Sequence, residues 1–156
     1  MVRSRRLPAA LWQVVVLAIA LAPQAAYPQV AVIVNRANPV TNLSRDQLQR
    51  LYLGASTTFP DGGSVVLFES PPARRAFYQS LLHMSELAMT RHWIGVMFRG
   101  ENANPLRAID GADALRRAVA ETPGALAFIS VAAVDSTVKV VTVDGRHPRD
   151  PGYPLR

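Results

Sequence analysis

Few residues of this sequence could carry out chemistry. Its 156 residues include no cysteine and three histidines, which excludes a thiolate nucleophile, an iron–sulfur cluster and a cysteine zinc site. His83 and His92 are nine positions apart, whereas two metal ligands on one helical face stand at i and i+4. The Gly-x-Ser-x-Gly turn of serine hydrolases is absent from the sequence. We therefore predict that the protein is not an enzyme and that it has no metal site and no cofactor.

Apolar runs that alternate with helical patterns predict the elements around any site. Four strands are expected from short runs rich in β-branched or apolar residues, at 30–34, 64–68, 125–129 and 138–143. Four helices are expected to begin at or near Ser44, Ser70, Ser85 and Asp110. The order β-α-β-α-α-α-β-β predicts an α/β layer fold, with a parallel or mixed sheet of about four to five strands flanked by helices.

The helix after Ser44 has the clearest local pattern. Ser44 and Gln47 have the spacing of a capping box, and Leu43 can pack on Leu48 as a hydrophobic staple. Gly54 stands where a glycine commonly ends a helix. These five residues predict both ends of this helix.

The apolar positions of the later helices predict which side chains face the core. The expected inward residues are Ala73, Phe77 and Leu81, then Leu87, Ile94, Met97 and Phe98, and finally Leu115, Ala118 and Val119. Trp93 falls on a stripe beside the second group.

The N-terminal segment has the pattern of an export signal. Three arginines within the first six residues precede an unbroken apolar run at 14–22 and then a proline. The run is shorter than the ~20 apolar residues that cross a membrane. We predict a signal peptide over residues 1–26 and a periplasmic location. An uncleaved membrane anchor is the alternative, and in that case this segment alone would contact the membrane.

The charge of the chain depends strongly on that segment. The whole sequence has 17 basic and 11 acidic residues, and loss of the three N-terminal arginines reduces the net charge from +6 to +3. The remaining arginines are spread along the chain instead of forming a basic tract, so nucleic-acid binding is not expected. Residues 30–145 have the length of one domain, and residues 146–156, rich in proline and arginine, are expected to form a loose tail.

Four segments between residues 30 and 145 have a distinctive order and spacing. They are VAVIVNRANPVTNLSRDQLQRLYLG, SVVLFES, ARRAFYQSLL and ETPGALAFISVAAVDSTVKVVTVDG. The most specific pieces are Asn38-Pro39-Val40 before Leu43-Ser44, and Thr122-Pro123-Gly124-Ala125 before a strand. Together they resemble the phosphate-type solute-binding proteins of bacterial ABC transporters. The resemblance implies one lobe, the second, of a two-lobed protein with the type II periplasmic-binding-protein fold.

The resemblance also implies an anion site at the start of the helix that follows the second predicted strand. Members of the family hold an oxyanion there with a basic residue and a Ser-Gly-Thr run, and the N–H groups of a helix N-terminus favour an anion. Here Glu69 stands where the basic residue is expected, and Pro71 and Pro72 have no N–H to donate. The implied site is therefore reduced to Ser70, the N–H of Ala73, and Arg74.

Two functions follow from this comparison of residues. The first is a non-catalytic exported protein that binds a small oxyanion such as phosphate at the helix N-terminus. The alternative is a degenerate lobe that acts in the periplasm as a protein-interaction module for a membrane sensor or a transporter component.

Overall fold

The structure is a computed structural model and describes residues 29–101 and 103–156. The strands are β1 (Val30–Val34), β2 (Asn42–Leu43), β3 (Val66–Glu69), β4 (Arg107–Ala108), β5 (Ala125–Ser130) and β6 (Lys139–Val143). The helices are α1 (Arg45–Tyr52), α2 (Arg74–Leu82), α3 (Glu86–Phe98) and α4 (Ala112–Glu121). Two 3₁₀ turns, Pro71–Ala73 and Val131–Ala133, precede α2 and follow β5. The signal peptide predicted over residues 1–26 lies outside the described residues.

The strands form one mixed sheet in the order β2-β6-β1-β5-β3-β4. β1 is antiparallel to both of its neighbours, β5 and β6, whereas the pairs β3 with β5, β3 with β4 and β2 with β6 are parallel. The predicted α/β class with a mixed sheet is confirmed. The sheet is wider than expected because β2 and β4, of two residues each, add to its edges.

Helices cover both faces of the sheet. Val32 and Phe128 point to the face that α1, α2 and α3 cover, and Ile33 and Ala127 point to the face that α4 covers. Successive side chains of a strand alternate between faces. Strands covered on both sides therefore need continuous apolar runs, as β1 and β5 have.

Helix α1 has both of its predicted ends. Ser44 Oγ accepts the N–H of Gln47, and Gln47 Oε1 accepts the N–H of Ser44, which completes the capping box. Leu43 and Leu48 are both fully buried. Gly54 has φ +77°, the left-handed conformation that glycine adopts without strain.

Two of the residues predicted to start helices, Ser70 and Asp110, do not cap them. The hydroxyl of Ser70 caps no N–H, because a 3₁₀ turn comes first and the N–H of Ala73 donates to the carbonyl oxygen of Ser70. Helix α2 begins only after that turn. Helix α4 is preceded by Gly111 at φ +88°, so Asp110 lies one residue outside the cap.

Helix α3 turns a different side to the core than predicted. Leu87, Ile94, Met97 and Phe98, which we expected to face inward, are 60, 43, 64 and 87% exposed. Met89 and Val96 are buried instead. The helix is apolar on several sides, so periodicity alone does not fix its orientation. The inward positions predicted for the other helices are buried, except that Ala118 of α4 is only half-buried.

The segment after residue 145 packs against the domain. Tyr153 and Leu155 are buried in the same cluster as Val30, and the N–H of Val30 donates to the carbonyl oxygen of Leu155 at 3.5 Å. This segment, which we expected to be loose, thus contributes to the core. Among the described residues, no helix combines the length and the apolar character needed to span a bilayer.

Candidate binding cleft at the end of strand β3

A cleft of about 310 Å³ opens where β3 ends and α2 begins. Its polar lining residues are Glu69, Arg74, Tyr78, Glu86 and Thr90. Its apolar lining residues are Met89, Trp93, Ile94, Met97, Pro105 and Leu106. The cleft lies at the carboxyl end of a parallel strand, which is the edge where α/β sheets usually bind ligands.

A buried carboxylate forms the floor of the polar part. Glu69 is the last residue of β3 and is 7% exposed. Its Oε1 accepts hydrogen bonds from Nε and Nη2 of Arg74, at 2.9 and 2.5 Å, and its Oε2 accepts one from the hydroxyl of Tyr78. Arg74 and Tyr78 are four residues apart on α2, so both reach the same partner. The buried charge is therefore paired and hydrogen-bonded, as a stable site requires.

Two members of the cluster, Tyr78 and Arg74, have raised pKa values. Burial raises the pKa of Tyr78 far above its ordinary value, and the hydrogen bond to Glu69 and its negative charge raise it further. Burial lowers the pKa of Arg74, but the hydrogen bond and the charge of Glu69 outweigh that effect and raise it. Tyr78 thus remains a donor and Arg74 a cation at neutral pH. With Glu69 and Glu86 also in the lining, the cleft has no excess of positive charge.

The structure separates the three residues predicted to hold an anion. Arg74 lines the cleft and is paired with Glu69. Ser70 is 8% exposed and is not part of the lining, and the N–H of Ala73 is already bonded to the carbonyl oxygen of Ser70 at 3.0 Å. Anion binding by these three residues stays a prediction.

Tyr78 and Trp93 are among the cleft residues that sequence reasoning missed. Tyr78 was not assigned a role, although its position one turn after Arg74 places the two on the same side of a helix. Trp93 was assigned only to a stripe beside the core. Its Nε1–H is buried and has no hydrogen-bond acceptor among the described residues, a feature that no sequence pattern reveals.

The two histidines on the helices make structural hydrogen bonds. His83 ends α2 at φ +55°, and its Nε2 accepts from Nη2 of Arg45 at 3.3 Å. His92 donates from Nε2 to the carbonyl oxygen of Leu53 at 2.8 Å. Neither residue lines the cleft. Within residues 29–101 and 103–156, no three histidine, aspartate or glutamate side chains come together as a metal site.

Solved structures share this arrangement of strands and helices. An ABC-type phosphate transport receptor from Vibrio cholerae superposes with a TM-score of 0.61 at 23% identity, over 77% of this chain and 48% of that one. PstS from Borrelia burgdorferi gives a TM-score of 0.61 at 9% identity, over 81 and 53%. A phosphate-binding protein from Stenotrophomonas maltophilia gives 0.59 at 16% identity, over 78 and 40%. The fold is that of the phosphate-type solute-binding proteins.

The coverage shows how much of that fold this chain contains. The chain spans about half the length of these structures, which corresponds to one lobe of a two-lobed protein. The resemblance noted in the sequence is thereby confirmed at the level of the fold. No protein-family model matches the chain.

Proposed function

We propose that the protein is a non-catalytic binding protein of the periplasm that holds a small oxyanion such as phosphate beside Arg74. The observation that carries this proposal is the position of Arg74. Its guanidinium lines a cleft at the carboxyl edge of the sheet, in a fold shared with phosphate receptors. A periplasmic location is supported by the export pattern of residues 1–26 and by the transporter-type fold.

Arg74 retains donors for a ligand although it is paired. A guanidinium has five N–H donors, and Glu69 engages only the Nε and Nη2 nitrogens. The hydroxyl of Ser70 caps no N–H and is the second candidate donor, but Ser70 does not line the cleft, so Arg74 is the main donor in this proposal. The carboxylates of Glu69 and Glu86 oppose an anion, so we expect a dissociation constant in the millimolar range, about −4 kcal/mol.

A binding role without catalysis agrees with the chemistry of the cleft. Catalysis by a nucleophile needs a base beside it that can take its proton. Tyr78 is the hydroxyl at the floor of the cleft, and its raised pKa keeps it protonated at neutral pH. It therefore acts as a hydrogen-bond donor to Glu69, and neither as a base nor as an activated nucleophile.

Thermal unfolding in the presence of phosphate tests the proposal. A ligand at ten times its dissociation constant stabilises the folded state by about 1.4 kcal/mol, which raises the Tm of a domain of this size by about 4 °C. Sodium chloride at matched ionic strength is the salt control. The same measurement with sulfate reports how selective the site is.

Three variants locate the effect within the cleft. Arg74→Ala should abolish the rise in Tm, whereas Arg75→Ala should retain it, because Arg75 is exposed and does not line the cleft. Glu69→Gln removes the opposing carboxylate charge and should tighten binding about tenfold. The proposal fails if phosphate leaves the Tm of the wild type unchanged, or if Arg74→Ala responds as the wild type does.

A second candidate function is a protein-interaction module in the bacterial envelope. The observation in its favour is the exposed apolar side of α3, since exposed patches of large apolar residues commonly mark interaction sites. A flat response to both oxyanions, together with capture of a membrane sensor or transporter component from an envelope extract, would support this function.

A further inference from the structure

The cleft at the end of β3 changes from polar to apolar along helix α3. Six residues of this helix line the cleft, at positions 86, 89, 90, 93, 94 and 97, which is the spacing of one helical face. With a rise of about 1.5 Å per residue, these positions extend over about 16 Å of the helix. Glu86 stands at one end of this face, and Trp93, Ile94 and Met97 stand towards the other. The two ends of the cleft therefore differ in chemistry.

The charged groups of the cleft are gathered at the Glu86 end. Arg74 and Tyr78 both donate to Glu69. Burial and the hydrogen bond to Glu69 are the main causes that raise the pKa of Tyr78, and the negative charge of Glu86 raises it as well, so Glu86 lies near this cluster. The side chain of Arg74 is 27% exposed, and its Nη1 has no acceptor among the described residues. An oxyanion can therefore be held at this end of the cleft.

The lining at the other end is apolar. Trp93, Ile94 and Met97 line it together with Pro105 and Leu106, from the segment that leads into β4. Ile94 and Met97 are exposed, so they present apolar surface that a ligand can remove from water. Inorganic phosphate has no apolar atom and gains nothing from this surface.

We propose that the ligand of the cleft is a phosphate monoester with one apolar substituent, an alkyl or aryl phosphate. Its phosphate group accepts from Arg74, and its substituent lies along α3 on Trp93 and Met97. The phosphate group alone binds weakly because Glu69 and Glu86 oppose it, whereas the substituent adds free energy in proportion to the apolar area that it buries. A cleft of about 310 Å³ has the size of a site for a small organic molecule. The inference rests on the proposed function for the phosphate group and adds the class of molecule that carries it.

A series of inorganic, ethyl, butyl and hexyl phosphate tests the inference. Each buried methylene should tighten binding about threefold, so hexyl phosphate should bind at least about tenfold more tightly than ethyl phosphate. Trp93 fluorescence measures the binding of the esters, with Trp12→Phe as the background so that Trp93 is the only tryptophan. The longer esters should shift its emission. Inorganic phosphate, held at the polar end, should leave the emission unchanged and is detected through the Tm.

Met97→Gln and Leu87→Gln form a matched pair of variants. The two residues lie on the same helix and are 64 and 60% exposed, but only Met97 lines the cleft. Met97→Gln should weaken the binding of hexyl phosphate about fivefold and leave that of inorganic phosphate unchanged, because only the substituent reaches this residue. Leu87→Gln should bind both ligands as the wild type does.

Hexyl phosphate that binds no more tightly than inorganic phosphate overturns the inference, and so does an equal loss in the two glutamine variants. Tighter binding of hexylammonium than of hexyl phosphate also overturns it, since the carboxylates and not Arg74 would then recognise the charged group. The proposed function fails separately. If the Tm rises with inorganic phosphate and the alkyl group adds nothing, only the inference is lost. If hexyl phosphate binds, Arg74→Ala abolishes that binding and inorganic phosphate has no effect, the inference stands and the free ion is excluded as the ligand.

Discussion

Replacing Glu69 should destabilise the fold more than the replacement of any exposed acidic residue. The carboxylate accepts a hydrogen bond from the buried Tyr78 hydroxyl, and a buried donor without a partner costs ~1–3 kcal/mol. The side chain of Arg74 is 27% exposed and can turn towards water, so its loss of a partner adds only about 1 kcal/mol. Glu69→Ala should therefore lower the free energy of unfolding by about 3 kcal/mol. Glu69→Gln keeps one oxygen acceptor and should cost about half as much.

Urea unfolding at pH 7 measures these changes, with an unchanged m-value as the sign that the folded and unfolded states keep their compactness. In a double-mutant cycle, Glu69→Ala and Tyr78→Phe should couple by about 1 kcal/mol, because each variant removes the hydrogen bond that the two side chains share. Asp46→Ala is the matched control, since Asp46 pairs with Arg50 at the surface and should cost at most about 0.5 kcal/mol. A coupling near zero, or a Glu69→Ala cost equal to that of the control, would refute the reasoning.

Three further results follow from the structure. Gly124→Ala should lower the free energy of unfolding by ~1–3 kcal/mol, because a Cβ there would lie 2.3 Å from the carbonyl oxygen of Ser64. Urea unfolding measures this change, and an unchanged midpoint would show that the close approach is absent. Ser44→Ala should cost about 1 kcal/mol in the same assay through loss of the α1 cap, and a neutral result would contradict the capping box. The free energy of unfolding should be level up to about pH 10 and fall above it. Above that pH the unfolded state releases the proton of Tyr78, whereas the raised pKa of Tyr78 lets the folded state keep it. Tyr78→Phe should reduce that fall, measured as urea midpoints between pH 8 and 11, and an equal fall in both proteins would exclude this contribution.

The sequence determines the parts of the fold that depend on neighbouring residues. The capping box at Ser44 and the glycine at residue 54 are local signals, and both ends of α1 were predicted from them. The buried strands β1 and β5 were predicted because continuous apolar runs are needed where both faces of a sheet are covered. The short edge strands β2 and β4 could not be predicted, since two residues contain no periodicity.

The parts that depend on distant contacts were harder to predict. The orientation of α3 is set by what packs against it, and Met89 and Leu87 are equally apolar in the sequence. In the cleft, Glu69 was recognised as an acidic residue in place of a basic one, but its pairing with Arg74 requires the 3₁₀ turn that lies between them. The two prolines that were read as missing donors also form this turn.

The position of β1 in the sheet has a consequence for folding. It is the earliest described strand to be synthesised, yet it lies between β5 and β6, and Val32 pairs with Phe128 and Val141. The centre of the sheet therefore cannot form until nearly the whole polypeptide has left the ribosome. Until then the run VAVIV has no partner strand and is prone to aggregate. Contacts between residues so far apart in sequence also make folding slow, so this polypeptide has a long interval in which a chaperone can bind it.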